Sequence, residues 1–388
     1  MKPHRREHPA TEVVRQFSLA ACRRLVVKIG SALLTNEEGT VGRDWLAGVA
    51  ADAAARREAG QQVIVVSSGA ISIGSRLLAI DRRRSRLEAL QAAAAAGQVH
   101  LVRAWQEAFD AHGIAVAQIL LALGDTENRR RFLNARGTLE KLLEHGVLPV
   151  VNENDTVATE EIRYGDNDRL AARVAQLVMA DGLLLLSDVD GLYTADPGRD
   201  PGAEHVREVT AITPEIEAMA AGARSPFGSG GMATKVQAAR IAIHAGCTTV
   251  IASGRPERPI SALLAGGRCT VIRAPATPAA VRKQWLAGAL AIGGSLTLDA
   301  GAVAALRGGA SLLPVGVTAV AGAFSRGDPV LLLGAGGEEV GRGLAAYSAD
   351  EAGRILRCRS GEIAARLGYQ GRAVMVHRDD LVMFGTEE

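Results

Sequence analysis

Apolar residues in this chain fall into short blocks separated by longer stretches of mixed character. Residues 25–27, 63–66, 114–123, 147–151, 182–186 and 248–252 form largely uninterrupted apolar runs rich in Val, Ile, Leu and Ala. Runs of this length, bounded by turn residues, predict strands buried on both faces. Segments of helical composition lie between them: 43–58 before Gly60, 71–78, 87–111 with a break near Gly97, 127–145 before Gly146, 167–180, and 236–245. Glycine just past a helix end accepts the left-handed conformation that terminates it. Strand and helix alternate from residue 25 to residue 252. That alternation predicts a mainly parallel open sheet with helices on both faces, a three-layer αβα sandwich. It gives no strand order.

The pattern changes after residue 273. Ala274, Pro275, Ala276, Thr277 and Pro278 read as a linker, followed by a short helix reaching residue 290. From 293 onward the apolar segments shorten and glycine turns multiply. Strands are expected at 295–298, 314–320, 329–333, 342–347 and 373–376, with one helix near 361–367. This is a small, mostly β domain. Residues 1–22 are charged and lack a clear pattern, so they read as an N-terminal extension. The expected division is therefore 1–22 extension, 23–273 α/β domain, 274–292 linker and helix, and 293–388 β domain.

Composition narrows the function. The 388 residues are 48% hydrophobic and 22% charged, the balance of an ordinary globular chain. A net charge of +2 and 3% aromatics argue against a broad nucleic-acid surface. The four cysteines, Cys22, Cys247, Cys269 and Cys358, have no zinc-type spacing and read as free thiols in a reducing cytosol. Leu19 to Cys22 superficially resembles a lipoprotein cleavage site, but Glu12, Arg15 and Gln16 interrupt the apolar region that such a signal needs. No run is long enough to span a membrane.

Polar chemistry concentrates where strands end. The strand at 147–151 runs into Asn152, Glu153, Asn154 and Asp155, and Asp166, Asn167 and Asp168 precede the next helix. In open α/β sheets the C-terminal strand edge is where ligands bind. Carboxylates and amides there suit a small polar ligand with an ammonium group, or a metal. The same residue types also serve as N-caps and Asx-turns. Lys28, Gly30 and Ser31 close the first strand, as an anion site or as a solvated strand end. Ser67, Ser68 and Gly69 form a small turn before a helix, and Ser187 and Asp188 close the strand at 182–186. Ser229, Gly230, Gly231, Met232, Ala233, Thr234 and Lys235 lead into a helix. This loop is not a Walker A sequence, because Lys235 follows Thr and precedes Val. It still combines glycines, a helix N-terminus and a lysine in the first turn. Only five lysines occur, against many arginines, so Lys28 and Lys235 stand out weakly as compact point charges.

Taken in order, these motifs resemble the glutamate 5-kinases of the amino-acid kinase family, with a C-terminal PUA-like domain. The resemblance rests on residues 27–31, 67–70, 131–136, 151–155, 165–168, 191–197 and 230–235, and on 324–327 and 376–380 in the C-terminal part. Ser67, Ser187 and Ser229 stand where many relatives carry threonine, and each keeps a hydroxyl. The resemblance implies transfer of the γ-phosphoryl group of ATP, with Mg²⁺, to the side-chain carboxylate of L-glutamate, as the first step of proline biosynthesis. It implies catalytic roles for Lys28, Lys235 and Asp168. Ser68, Asp155 and Asn167 would bind glutamate, with Asn152 and Asp166 near its α-ammonium. Lys28, Ser187, Asp188 and residues 229–235 would bind the nucleotide. No metal ligand set of the protein's own is implied. Proline is expected as a feedback inhibitor, a homo-oligomer as the assembly, the cytoplasm as the location, and glutamate-5-semialdehyde dehydrogenase, a reductase, as the recipient of the product. Kinases of N-acetylglutamate, aspartate or UMP are the runners-up; the acidic doublet suits a free α-ammonium, which the first and last lack. RNA binding through the PUA-like part is the other class. With nine arginines, no lysine and eleven acidic residues, 293–388 lack a basic footprint for it.

Overall fold

Strand β1 (Arg24–Ile29) is buried along its whole length. The chain continues through α1 (Ser31–Leu34), α2 (Arg43–Glu58), β2 (Gln62–Ser67), α3 (Ala70–Leu77), α4 (Leu87–Asp110), β3 (Val116–Leu121), α5 (Leu123–Glu127), α6 (Arg129–Glu144) and β4 (Leu148–Glu153). Then follow α7 (Asp166–Leu177), β5 (Gly182–Ser187), β6 (Leu192–Tyr193), β7 (His205–Val206), β8 (Glu208–Val209), α8 (Pro214–Gly222), α9 (Met232–His244), β9 (Thr248–Ser253), α10 (Pro259–Leu264) and β10 (Cys269–Ile272). This computed structural model describes residues 17–35, 40–82, 84–157, 166–222, 231–287 and 292–384.

Eight strands form the main sheet in the order β3-β4-β2-β1-β5-β9-β10-β8. All neighbours run parallel except β9 and β10. The chain leaves β1 toward β2 on one side and later crosses to β5 on the other. Strand order thus reverses beside β1, which opens a crevice at the C-terminal ends of β1, β2 and β5.

Side chains alternate between the faces of a strand. Leu25, Val27 and Ile29 enter a core with Leu46, Val49, Leu101, Trp105 and Phe109 from α2 and α4. Val26 enters the opposite core, with Leu170 and Val174 of α7 and Val236 and Ala239 of α9. Each buried Val or Leu contributes about 1.5–3 kcal/mol, so this register is strongly fixed. Lys28 is in phase with Val26. The alternation that packs the sheet therefore aims Lys28 at α7 and α9.

Helix α4 is continuous through Gly97, where the sequence predicts a break. Gly97 is instead a contact: a Cβ there would lie 1.9 Å from the Ala70 carbonyl oxygen, and one at Gly74 would lie 1.7 Å from that of Ala93. Helices α3 and α4 meet backbone to backbone. The body also takes in residues just before β1. Leu19 and Cys22 are buried, and Gln61 Nε2 donates to the Leu19 and Cys22 carbonyls at 2.9 and 2.6 Å.

After α11 (Pro278–Ala287) the C-terminal part comprises β11 (Gly294–Leu298), α12 (Ala300–Arg307), β12 (Val317–Gly322), β13 (Pro329–Leu333), β14 (Glu339–Leu344), α13 (Ala349–Arg354), α14 (Ile363–Leu367) and β15 (Leu381–Met383). Its sheet has the order β12-β11-β13-β14-β15 and its own core. Three helices stand where the sequence predicts one. Helices α12 and α13 are only 8 and 6 residues long, too short for their periodicity to register. The strand expected at 373–376 is a single bridge between Leu312 and Val376, and β15 completes the sheet instead.

Candidate active site

Three charged side chains meet over the C-terminal end of β1. Lys28 arrives from β1, Asp168 from the first turn of α7 and Lys235 from the first turn of α9. Lys28 Nζ lies 2.5 Å from Asp168 Oδ1, and Lys235 Nζ lies 3.4 Å from Oδ2. Thr234 Oγ1 donates to the same Oδ2 at 2.9 Å. All three charges are buried, Asp168 completely. Burial pushes the Asp168 carboxyl up, but Lys28, Lys235 and the Thr234 hydroxyl together prevail and hold it at about 2. Burial pulls Lys28 below its ordinary value, and the Asp168 carboxylate opposes that. Asp168 bridges the two ammonium groups, and the Asp188 carboxylate also acts on Lys28, so two buried ammonium groups stand together in a place shielded from water. Paired buried ammonium groups of this kind can receive an anionic ligand.

On the β2 and β4 side of this centre lies a chain of amides and hydroxyls. Asn167 Nδ2 donates to Ser68 Oγ at 2.8 Å, to the Ser67 carbonyl at 3.2 Å and to Asn152 Oδ1 at 3.1 Å. Asn152 Nδ2 in turn donates to Gln98 Oε1 at 2.7 Å. Asn167 Oδ1 and Gln98 Nε2 are buried with no hydrogen-bond partner among the described residues, so an acceptor and a donor are left over. Asp155 opens a 3₁₀ turn (Asp155–Val157) just past β4. It is buried, and burial raises its carboxyl to about 6. The buried Asp155 carboxyl, the Asn167 acceptor and the Gln98 donor are of the kinds that complement an ammonium and a carboxylate. Gly69 makes the turn beneath: its φ of +107° is left-handed, and a Cβ would lie 2.8 Å from Leu34 Cδ2.

On the β5 and β9 side the crevice widens into a cavity of about 470 Å³, whose lining includes Asp188, Tyr193, Ser253, Arg255, Pro256 and Leu263. Ser187 Oγ donates to Asp188 Oδ1 at 3.1 Å, and Arg255 Nε donates to the Asp188 carbonyl at 2.9 Å. Tyr193 Oη donates to Asp190 Oδ1 and accepts from Arg268 along the rim. The volume, with apolar walls and a few polar groups, suits a nucleoside-sized ligand.

The residues singled out from sequence thus separate into three neighbouring groups. Lys28, Asp168, Thr234 and Lys235 are drawn together at the centre. Ser68, Asn152 and Asn167 are joined by hydrogen bonds, with Asp155 beyond the end of β4. Asp188 borders the cavity, and Ser187 precedes it at the end of β5. Gly231 caps α9 and accepts from Thr234 Oγ1 at 2.8 Å, while Met232 is buried and Ala233 half-buried at its start. Ser229 and Gly230 lie outside the described residues, and Asp166 is the first residue of α7, without a described side chain.

Sequence reasoning missed Gln98 and the cavity wall at 253–263. Gln98 had a signal, as a polar residue within an alanine-rich buried stretch. The wall had one too: β9 ends at Ser253, beside the end of β5, and Gly254 and Arg255 follow it. Trp105 was equally unmarked, and its Nε1 fixes the Ser67 hydroxyl at 3.0 Å.

Known proteins resemble this chain over most of its length. The sequence profile of the amino acid kinase family matches residues 23–253, and that of the PUA domain matches residues 294–367. The chain is 56% identical over 361 residues to glutamate 5-kinase 1 of Rhizobium meliloti (strain 1021), covering 93% of this chain and 92% of that relative. It is 57% identical over 368 residues to glutamate 5-kinase of Paramagnetospirillum magneticum (strain ATCC 700264 / AMB-1), covering 95% and 99%. It is 56% identical over 371 residues to glutamate 5-kinase of Caulobacter vibrioides (strain NA1000 / CB15N), covering 95% and 98%.

Proposed function

The chain belongs to the amino acid kinase family, in the branch defined by its glutamate 5-kinase relatives, and on that premise we propose that it phosphorylates L-glutamate. The γ-phosphoryl group of ATP passes to the side-chain carboxylate, giving ADP and L-glutamyl 5-phosphate, the first step of proline biosynthesis. The observation that carries this reading is the buried Lys28–Asp168–Lys235 centre between an amide-lined recess and a nucleoside-sized cavity.

The acceptor carboxylate has an ordinary pKa of about 4.3, so it is ionised at neutral pH and no base is needed. A carboxylate oxygen forms a bond to the γ-phosphorus while the bond from that phosphorus to the β–γ bridging oxygen breaks. The obstacle is repulsion between the incoming anion and the triphosphate. Lys28 and Lys235 would offset it and stabilise the charge spread over the transferring group. Asp168 would keep both lysines charged and fixed. Asp155, Asn167, Asn152 and Ser68 would hold the amino-acid end of glutamate, with Asp166 beside them, so that its side chain points to the centre. Gln98 joins them through Asn152. Ser187, Asp188 and the 229–235 loop would carry the nucleotide, with its base in the cavity.

Among the described residues no group of three or more His, Cys, Asp or Glu side chains is placed to hold a metal. Mg²⁺ would be held mainly by nucleotide phosphate and water oxygens. Proline carries an α-carboxylate and an α-ammonium as glutamate does, its ammonium being part of the ring, which supports inhibition by competition at the Asp155–Asn167 end. A homo-oligomer, and hand-off of the reactive acyl phosphate to glutamate-5-semialdehyde dehydrogenase, complete the reading. Among the described residues no helix is long and apolar enough to cross a membrane.

The direct test is ADP release with ATP and Mg²⁺ on offering glutamate, aspartate or N-acetylglutamate. Glutamate alone should support turnover, and Lys28→Met should lower kcat by about 10²–10³ with a smaller change in either KM. Turnover with another acceptor in place of glutamate would contradict the assignment.

A further inference from the structure

The cavity beside β5 and β9 is not self-supporting. Its outer wall is the segment from Ser253 through Leu263, comprising the end of β9, a connecting loop and the short helix α10. A six-residue helix has little stability of its own. What holds it is helix α2, about 200 residues earlier in the chain. Asp52 is buried with no side-chain exposure and accepts from four donors on this wall. The Ile260 and Ser261 backbone N–H groups reach Oδ2 at 2.8 and 3.0 Å, Arg258 Nε reaches Oδ1 at 3.0 Å, and the Ser261 hydroxyl also donates to Oδ1. Two turns earlier on the same helix, Trp45 Nε1 donates to the Gly254 carbonyl at 2.7 Å and to that of Pro256 at 3.2 Å. Between them, a Cβ at Gly48 would lie 2.1 Å from the Glu257 carbonyl oxygen. Positions 45, 48 and 52 share one helix face. Together they fasten the wall at its start, middle and end.

We propose that Asp52 is a positioning residue for the nucleotide: through α10 and the 254–261 loop it sets the shape of the cavity, and with it affinity and selectivity for the purine end of ATP. This rests on the reading of that cavity as the nucleotide pocket. Asp52 lies outside the Lys28–Asp168–Lys235 centre and the glutamate recess, so its loss should act on one substrate only. A purely structural residue would weaken both substrates together and lower kcat with them.

The experiment compares the full-length chain with Asp52→Ala, Asp52→Asn, Trp45→Phe and Ala262→Trp. KM for ATP, GTP and glutamate and kcat are read for each, with the dissociation constant for ADP by calorimetry. In Asp52→Ala, KM for ATP and the ADP constant should rise about tenfold and the preference for ATP over GTP should fall. Glutamate KM and kcat should stay within about twofold. Asp52→Asn keeps one acceptor geometry and should fall between. If Asp52→Ala does not fold, Trp45→Phe carries the test, with a smaller rise confined to ATP. Unchanged ATP affinity in the folded variants, or equal loss toward both substrates, would overturn the inference. Ala262→Trp fills the cavity directly. If it too leaves ATP binding intact, the nucleotide reading of the cavity fails; if it alone weakens ATP, that reading stands and the role of Asp52 falls.

Discussion

Asp155 lies just past β4 and Asp168 follows Asn167 in α7, and their surroundings drive their acidities apart. Asp168 is fixed by two ammonium groups and held at about 2, whereas Asp155 meets only burial and is raised from 3.8 to about 6. A carboxyl raised in the folded state costs stability when ionised. That cost is absent below pH about 4, accrues between pH about 4 and 6, and is complete above. An α-ammonium seated against Asp155 would remove it, so glutamate binding should strengthen as pH rises through about 6. Below that pH, binding should release a proton into solution. KM for glutamate measured from acid to neutral pH should fall through this window in the wild type. In Asp155→Asn it should be raised and flat. A pH-independent wild-type KM would contradict the role. Part of this scale was legible in the sequence, because strand ends and helix starts crowded with polar residues are recognisable: Lys28, Asn152, Asp155, Asn167, Asp168 and Lys235 were all marked there, with capping or solvated roles left open and their individual roles supplied by the resemblance. Gln98 did not, since a polar residue in a helix gains its meaning only from what lies opposite.

At the scale of elements, strands announced themselves through continuous apolar runs, and the phase of Lys28 with Val26 followed from strand geometry. Contacts between elements were less readable. Glycine in a helix lowers propensity by about 1 kcal/mol, so Gly97 reads locally as a break. Its actual task, letting α3 and α4 touch, depends on a partner with no sequence mark. Gly97→Ala should therefore destabilise the fold despite raising helix propensity, by about 1–3 kcal/mol or more in denaturant unfolding. It should also raise KM for glutamate, because α3 carries the Ser68 turn at its start. A stabilised variant would show that the close approach is not maintained. The short helices α12 and α13 were missed for lack of length, although Ser348 and Glu351 form a capping box that a closer reading could have used. Strand order, and the antiparallel β10, depend on long-range pairing that no local pattern encodes.

For the whole molecule, the two folded parts are tied by charge. Arg136 of α6 and Arg282 of α11 both pair with Asp380 of the C-terminal part, the former at 2.9 Å, and Arg136 also meets Glu140 at 2.7 Å. Burial, with the neighbouring Arg136, pulls Arg282 down to about 10. Asp380→Ala would leave Arg282 without its carboxylate and the buried Arg136 with Glu140 alone, a change that costs up to about 3–5 kcal/mol. Calorimetry should then resolve the two parts as separate transitions; one unchanged transition would show that the tie is dispensable. The central claim concerns the Lys28–Asp168–Lys235 centre within the first part: a carboxylate, and no other group, receives the phosphoryl. An acyl phosphate reacts with hydroxylamine to give a hydroxamate, whereas phosphate esters and phosphoramidates do not. The most direct measurement is therefore hydroxamate formed from ATP, Mg²⁺ and glutamate in the presence of hydroxylamine, with and without proline. The account predicts glutamyl hydroxamate in step with ADP, suppressed by proline and nearly abolished in Lys235→Ala. ADP release from glutamate without hydroxamate, or hydroxamate formed only from aspartate or N-acetylglutamate, would contradict it.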